Sequence, residues 1–289
     1  MIVFVLLLIS YFAFSLYVAN AMTAPLAPRI DTSAKVVSEN FEDVSFDSTD
    51  GLELKGWLFT SSSNKLVIMV TGLLPNRVNT EYLGPMIGKE LVERGYNLLL
   101  YDTRAHGQSA GERVGYGSVE GNDVVGAVQF AKSRGFEPEN IGIIADSTGA
   151  ISTLMVIDQL KEVRAVVLDS TATEFQPIIS ETLGREKKIP PFFHPAIFFF
   201  DKVVFGVDLS VIRPIEKIKL VPERNFLFLH GALDETIPLK NSQGLLAAAK
   251  PESKLVVFEN GSNTETYKSD PDLYRREVFG FLTEELGKN

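Results

Sequence analysis

Residues 142–150 read Gly-Ile-Ile-Ala-Asp-Ser-Thr-Gly-Ala. A continuous apolar run ends on a serine, and small residues surround it. Such a run reads as a buried strand. Gly149 and Ala150 leave room for a helix to pack closely behind it. Strand, sharp turn and helix in so few residues place a hydroxyl at the tip of the corner. Such a corner points to a fold in which strands and helices alternate.

The remaining chain supports that architecture. Strand patterns at 41–46 and 52–59 flank Thr49-Asp50-Gly51 and predict a hairpin. Apolar runs at 66–70, 97–101, 141–144, 163–168, 226–229 and 255–258 read as further strands. Helical spacing is expected at 82–94, 119–133, 151–160 and 273–286, with Gly95 and Gly135 as stop signals. Strands alternating with helices predict an α/β fold, a mainly parallel sheet covered on both faces. Residues 171–224 break the rhythm and predict a small helical cap inserted between two parts of one core, 41–170 and 225–289. Within the insertion, Phe192, Phe193, Ile197, Phe198, Phe199 and Phe200, with Val203, Val204 and Phe205, form a dense apolar set. It either packs the cap onto the core, receives an acyl chain or lies against a bilayer.

The N-terminus differs from the rest. Residues 2–21 carry no charge, and at about 1.5 Å per residue they match the hydrocarbon thickness of a membrane. Residues 1–22 are expected to be a transmembrane anchor, with 23–40 as a linker containing two prolines. The alternative is a signal segment cleaved after Ala19-Asn20-Ala21, giving a secreted protein. The length of the run and the lack of a preceding Lys or Arg favour a single-pass anchor. Arg29 and Lys35 follow the span, which leans toward a cytoplasmic domain.

Composition excludes several classes. The formal net charge of -9 disfavours nucleic acid as a partner. With no cysteine there is neither a disulfide framework nor a thiolate centre. No metal, nucleotide or phosphate-loop motif occurs, so no cofactor is expected.

Four stretches in order carry a resemblance. Asp102-Thr103-Arg104-Ala105-His106-Gly107-Gln108-Ser109 follows a strand. The corner at Ser147 comes next. Leu229-His230-Gly231-Ala232-Leu233-Asp234 leaves a later strand, and Thr266-Tyr267 with Pro271-Asp272-Leu273-Tyr274 lies near the end. Together they make the chain similar to the α/β-hydrolase superfamily, and more narrowly to the membrane-anchored, serine-aminopeptidase-like hydrolases of bacteria. The likeness covers about 41–286.

That resemblance implies an esterase- or peptidase-type site acting on an ester, an amide or a lipid-like acyl compound. Ser147 takes the nucleophile position and Asp234 the acid position, with Asp169 a second candidate for the acid. The backbone N–H groups of Leu73 and Thr148 would form the oxyanion hole. Two positions depart from the family pattern without abolishing it: Ala145 stands for the first elbow glycine, and Thr71-Gly72 for His-Gly.

The base is different. Counting back from Tyr267 puts Asn263 where the family has its histidine; counting from Gly261 gives Thr264. Neither side chain takes up a proton near neutral pH. His106, His194 and His230 are the only histidines; all three read as packing or turn residues, and the alternative is a relocated base supplied by the cap through His194. In subtilisin, loss of the triad histidine costs about 10⁶ in turnover. About 10³ to 10⁴ over water is what an oxyanion hole and binding retain. Activity is therefore expected to be weak or lost, and the alternative is an inactive, membrane-tethered binding or scaffolding module.

Overall fold

The computed structural model describes all residues except 26–29, 31, 75, 79–82 and 289. Arg29 and Tyr82, which entered the expectations above, lie outside the described residues. Eight strands form one sheet: β1 Phe41–Asp47, β2 Glu53–Phe59, β3 Leu66–Val70, β4 Asn97–Tyr101, β5 Ile141–Asp146, β6 Ala165–Asp169, β7 Leu227–Gly231 and β8 Lys254–Phe258. Their order is β1-β2-β4-β3-β5-β6-β7-β8. The β1/β2 hairpin is antiparallel, as is the pairing of β2 with β4. Every other pair is parallel.

Ten helices accompany the strands among the described residues: α1 Ile2–Met22, α2 Leu83–Glu93, α3 Gly121–Ser133, α4 Ser147–Met155, α5 Phe175–Arg185, α6 His194–Val204, α7 Pro214–Ile218, α8 Lys240–Ala248, α9 Thr266–Ser269 and α10 Pro271–Glu285. Strand alternation sorts the core into two layers. Ile141, Ile143 and Ala145 join Leu66, Ile68 and Val70 on one face, which also holds Val124 of α3 and Leu154 of α4. Val67, Met69 and Ile144 point to the other, beneath Ile87 and Leu91 of α2 and Val278 and Leu282 of α10. With apolar residues facing both ways, the central strands are continuous runs, as a doubly covered sheet requires.

Several helix boundaries depart from the sequence expectation, the closing helix starting at Pro271 rather than 273, and two of the departures have a visible cause. The helix expected from 119 starts at Gly121. The carboxylate of Glu120 is occupied instead in a turn, accepting the Gly115 and Gly117 N–H groups at 2.5 and 2.7 Å. The helix expected over 151–160 starts four residues early, at Ser147 itself, and gives way at Val156 to a short 3-10 turn over Ile157–Gln159. Ending a strand on a left-handed residue lets the helix begin at the corner. The closing helix is well capped. Asp270 accepts the Leu273 N–H, and Pro271 occupies the first turn, where no N–H is needed.

Between β6 and β7, α5 and α6 rise above the sheet, whereas α7 returns to pack on α4 and α8. α1 lies against α6. Its Val18 and Ala19 share an apolar cluster with Leu183 and Ile197. The hydroxyl of Tyr11 donates to the Phe192 carbonyl at 2.8 Å.

Candidate active site

Ser147 is built into the fold as a corner. It follows β5 directly and takes a φ of +46°, a left-handed conformation that a residue with a side chain adopts only at a cost. Glycine at two neighbouring positions makes the corner possible. A Cβ on Gly149 would lie 2.2 Å from the Val70 carbonyl oxygen, so only glycine lets α4 pack this close to β3. A Cβ on Gly72 would lie 2.9 Å from that of Ser147, so the turn after β3 passes right beside the serine. Ala145 is fully buried and pairs in register with Val70 and Leu168. Its methyl is accommodated without breaking the strand.

The turn carrying Leu73 is fastened to the elbow by a residue that sequence reasoning passed over. Asp146, one residue before the serine, accepts the Gly72 N–H on Oδ1 at 2.7 Å. Burial pushes its carboxyl up to about 7, and the Gly72 hydrogen bond opposes that only in part. The backbone N–H groups of Leu73 and Thr148 thus belong to two segments held together by one buried acid. An aspartate at a strand end beside a candidate nucleophile was the available signal. It was hidden because the neighbour it serves is 74 residues away.

Two strands further along the sheet, the turn after β7 brings Asp234 to the same carboxyl edge, where open α/β sheets bind their ligands. Oδ1 of Asp234 accepts the N–H groups of Thr236 and Ile237 at 2.9 and 2.8 Å. Oδ2 accepts the side-chain N–H of Asn263 at 2.9 Å. Thr264 does not take that place. Its φ is +57°, its N–H donates to the Ser170 hydroxyl, and its own buried hydroxyl has no hydrogen-bond partner among the described residues.

Asp169, at the end of β6, sits between these groups electrostatically. Burial raises its carboxyl to about 7, with Asp146 and Asp234 each adding repulsion. Thr266 and Ser170 both donate hydroxyl hydrogen bonds to it. Asp169 therefore holds the start of α9 in place, and the turn bearing Asn263 with it, and makes no hydrogen bond to Asn263 among the described residues. Buried hydroxyl donors keep such a carboxyl from being orphaned.

The three histidines have other partners. His230 is fully buried; its Nε2 donates to the Ile237 carbonyl at 2.8 Å and its Nδ1 meets the Ser242 hydroxyl at 2.7 Å. Its ring lies 3.6 Å from Asp234 Oδ2, beyond hydrogen-bond reach, and burial holds its pKa below the usual imidazole range. His194 bridges Ser180 and the Ile189 carbonyl within the cap segment. His106 lies within 2.7 Å of the Arg104 carbonyl through Nδ1, leaving Nε2 without a partner among the described residues. Burial also lowers its pKa. None of the three hydrogen-bonds to Ser147 among the described residues.

Beside the elbow is a crevice of about 10 Å³, walled by Gly72, Leu73, His106, Tyr116 and Thr148. A much roomier cavity, about 490 Å³, lies elsewhere, at the strand-start end of the sheet around Arg164, Arg224 and Lys288. Ser147, Asp234, Leu73 and Thr148 are absent from its walls. No group of three or more His, Asp or Glu side chains suited to a metal occurs among the described residues.

Comparison with known proteins bears on the family and the fold. Residues 64–205 match the family model described as serine aminopeptidase, S33. An uncharacterized protein of Bacillus subtilis (strain 168), YqkD, is 27% identical over 256 residues, covering 85% of this chain and 82% of the relative. Among solved structures, the Pyrococcus furiosus esterase PF2001 superposes with a TM-score of 0.76 at 24% identity, over 92% of this chain and 99% of that one. The α/β hydrolase GrgF from Penicillium superposes with a TM-score of 0.69 at 19% identity, over 86% of this chain and 99% of that one.

Proposed function

Because the chain belongs to the α/β-hydrolase superfamily, we propose that it is a membrane-tethered protein of the serine esterase or peptidase type whose catalytic base has been replaced by Asn263. The observation that carries this reading is the hydrogen bond from Asn263 to Asp234. The carboxamide fills the position from which an imidazole would link acid to nucleophile. Ser147 is the nucleophile, and Leu73 and Thr148 supply the oxyanion donors through their backbones. An amide nitrogen cannot take the serine proton, so attack by Ser147 is slow. What stays intact is orientation and charge stabilisation at the developing oxyanion. The substrate is an ester, an amide or a lipid-like acyl compound; the esterase described for Pyrococcus furiosus supports the ester class.

The tethering half of the proposal rests on α1. It is the one described helix long and apolar enough to cross a membrane, a test that a signal sequence also passes. Retention is favoured by its docking: Ala19 is completely buried, and cleavage after Ala21 would strip the cover from Leu183 and Ile197. N-terminal sequencing of the membrane fraction is expected to return the uncut start of the chain. A mature chain beginning at Met22 would overturn the tether.

A fluorophosphonate probe tests the catalytic half. Slow labelling that Ser147→Ala abolishes is expected. A second reading, a binding module without turnover, is favoured by the same missing base. It fails if the purified parent protein hydrolyses a nitrophenyl ester at an ordinary rate.

A further inference from the structure

α1 is too firmly held by the cap to behave as an independent span. Its last turns are pinned by Arg113, which donates to the Asn20 side chain at 2.8 Å, and by Tyr116, whose hydroxyl donates to the Met22 carbonyl at 2.6 Å. Further back, Phe14 packs on Phe193 with ring centroids 4.7 Å apart. The stretch clear of these contacts, residues 2–10, is only about 14 Å long as a helix, half of a hydrocarbon core. If α1 is seated in a bilayer in its docked pose, the cap goes with it. The cap's outer face suits that placement: Phe192 is 63% exposed, Phe199 57% and Val203 63%.

Between α1 and α5 is a groove of about 420 Å³, lined by Val18, Ala21 and Met22 on one side and Ile179 and Leu183 on the other. That volume falls within the roughly 300–1,000 Å³ of small-molecule sites. Tyr116 forms one end of it, and the same residue walls the crevice beside Thr148. The groove thus begins on the helix proposed to lie in lipid and ends one side chain away from the oxyanion donors.

We infer that this groove receives the long acyl chain of a membrane-lipid ester, which enters from the bilayer and presents its carbonyl to Ser147. The inference rests on the proposed hydrolase reading and adds its substrate class and route. The exposed apolar face of α1 runs into the groove, so a lipid chain moves from hydrocarbon to protein without crossing water, and its burial needs no polar partner. A second copy of the chain inserting its own α1 is the competing occupant.

The test uses the full-length chain in phosphatidylcholine vesicles with a sixteen-carbon fatty acid carrying a terminal diazirine. Photolysis is expected to attach the probe to Met22, Ile179 or Leu183, and Ala21→Trp, at a solvent-facing helix position, should lower that yield at least fivefold. Leu183→Trp is the second filling variant, with the unfolding midpoint reporting that each folds. Attachment confined to residues 2–10, yield indifferent to both variants, or a cross-linked dimer in place of lipid attachment would overturn the inference. In Asn263→His carriers, Ala21→Trp should lower the ratio of palmitoyl-ester to butyryl-ester turnover at least tenfold. Lipid attachment in the groove without any hydrolysis would sink the catalytic reading and leave the groove standing.

Discussion

The side-chain N–H of Asn263 donates to Asp234 Oδ2 at 2.9 Å, while Oδ1 of the same carboxylate is saturated by two backbone N–H groups. An aspartate left without this third donor would have a buried oxygen unpaired, which costs on the order of 1–3 kcal/mol. Asn263 therefore satisfies the Asp234 carboxylate structurally, and in the proposed reading it leaves that carboxylate no proton acceptor to orient.

Restoring the imidazole follows directly. Asn263→His should raise nitrophenyl butyrate hydrolysis by at least about a hundredfold, well within the roughly 10⁶ attributed to a triad histidine in subtilisin. The gain should vanish when Asp234→Asn is added, and the activity should follow the titration of a single imidazole. A gain that persists without Asp234 would mean the new histidine acts outside the triad.

The strain at the elbow is measurable. Ser147 holds φ +46°, and a left-handed residue bearing a side chain costs about 1–2 kcal/mol. Ser147→Gly should accordingly unfold at a higher temperature than the parent and lose all fluorophosphonate labelling. Equal or lower thermal stability would show that the corner is not strained.

Gly149 should tolerate no side chain. With a Cβ brought to 2.2 Å from the Val70 carbonyl, Gly149→Ala must push α4 off β3 and is expected to destabilise by more than about 3 kcal/mol, in the tail of single substitutions. Denaturant midpoints measure this. A change below about 1 kcal/mol would contradict the packing.

The pH dependence has a definite sign. Asp169 has its folded pKa raised to about 7 by burial, against about 3.9 in an unfolded chain. Between those values the folded state binds more protons, so its contribution to stability falls as pH rises from about 4 to about 7. Asp169→Asn cannot ionise and keeps an acceptor for Thr266. Relative to the parent, its Tm should therefore improve on going from pH 5 to pH 8. A difference independent of pH would mean that Asp169 is ionised throughout.

Ala19 offers a check on the docking of α1. It is fully buried against the cap, and a larger side chain there must separate α1 from α6. Ala19→Leu should cost about 1–3 kcal/mol, the usual range for overpacking, and accelerate proteolysis within residues 1–22.

How much was legible in advance depended on the range of the interactions. The strands announced themselves because a sheet covered on both faces needs uninterrupted apolar runs, and the elbow did so because its small residues are consecutive. Gly121 and Ser147 as helix starts were missed, since a carboxylate turning back to 115–117 and a left-handed serine override local propensity. Asp146 had no assigned role in the sequence, because its partner at Gly72 lies 74 residues away. Counting from Gly261 and from Tyr267 gave two positions, 263 or 264, and of the two it is Asn263 that hydrogen-bonds to Asp234.

The sequence by itself determined the order of strands and helices, the serine corner, the lack of a histidine near 263 and an apolar N-terminal helix. Those features are local: each follows from the periodicity or identity of neighbouring residues. Only the tertiary structure decided that Asn263 reaches Asp234, that Asp146 ties the turn after β3 to the corner at Ser147 and that α1 lies on α6 with a groove beside it. Each of these joins residues separated by 29, 74 or 94 positions, and contacts of that kind exist only once the sheet has brought distant loops to one edge.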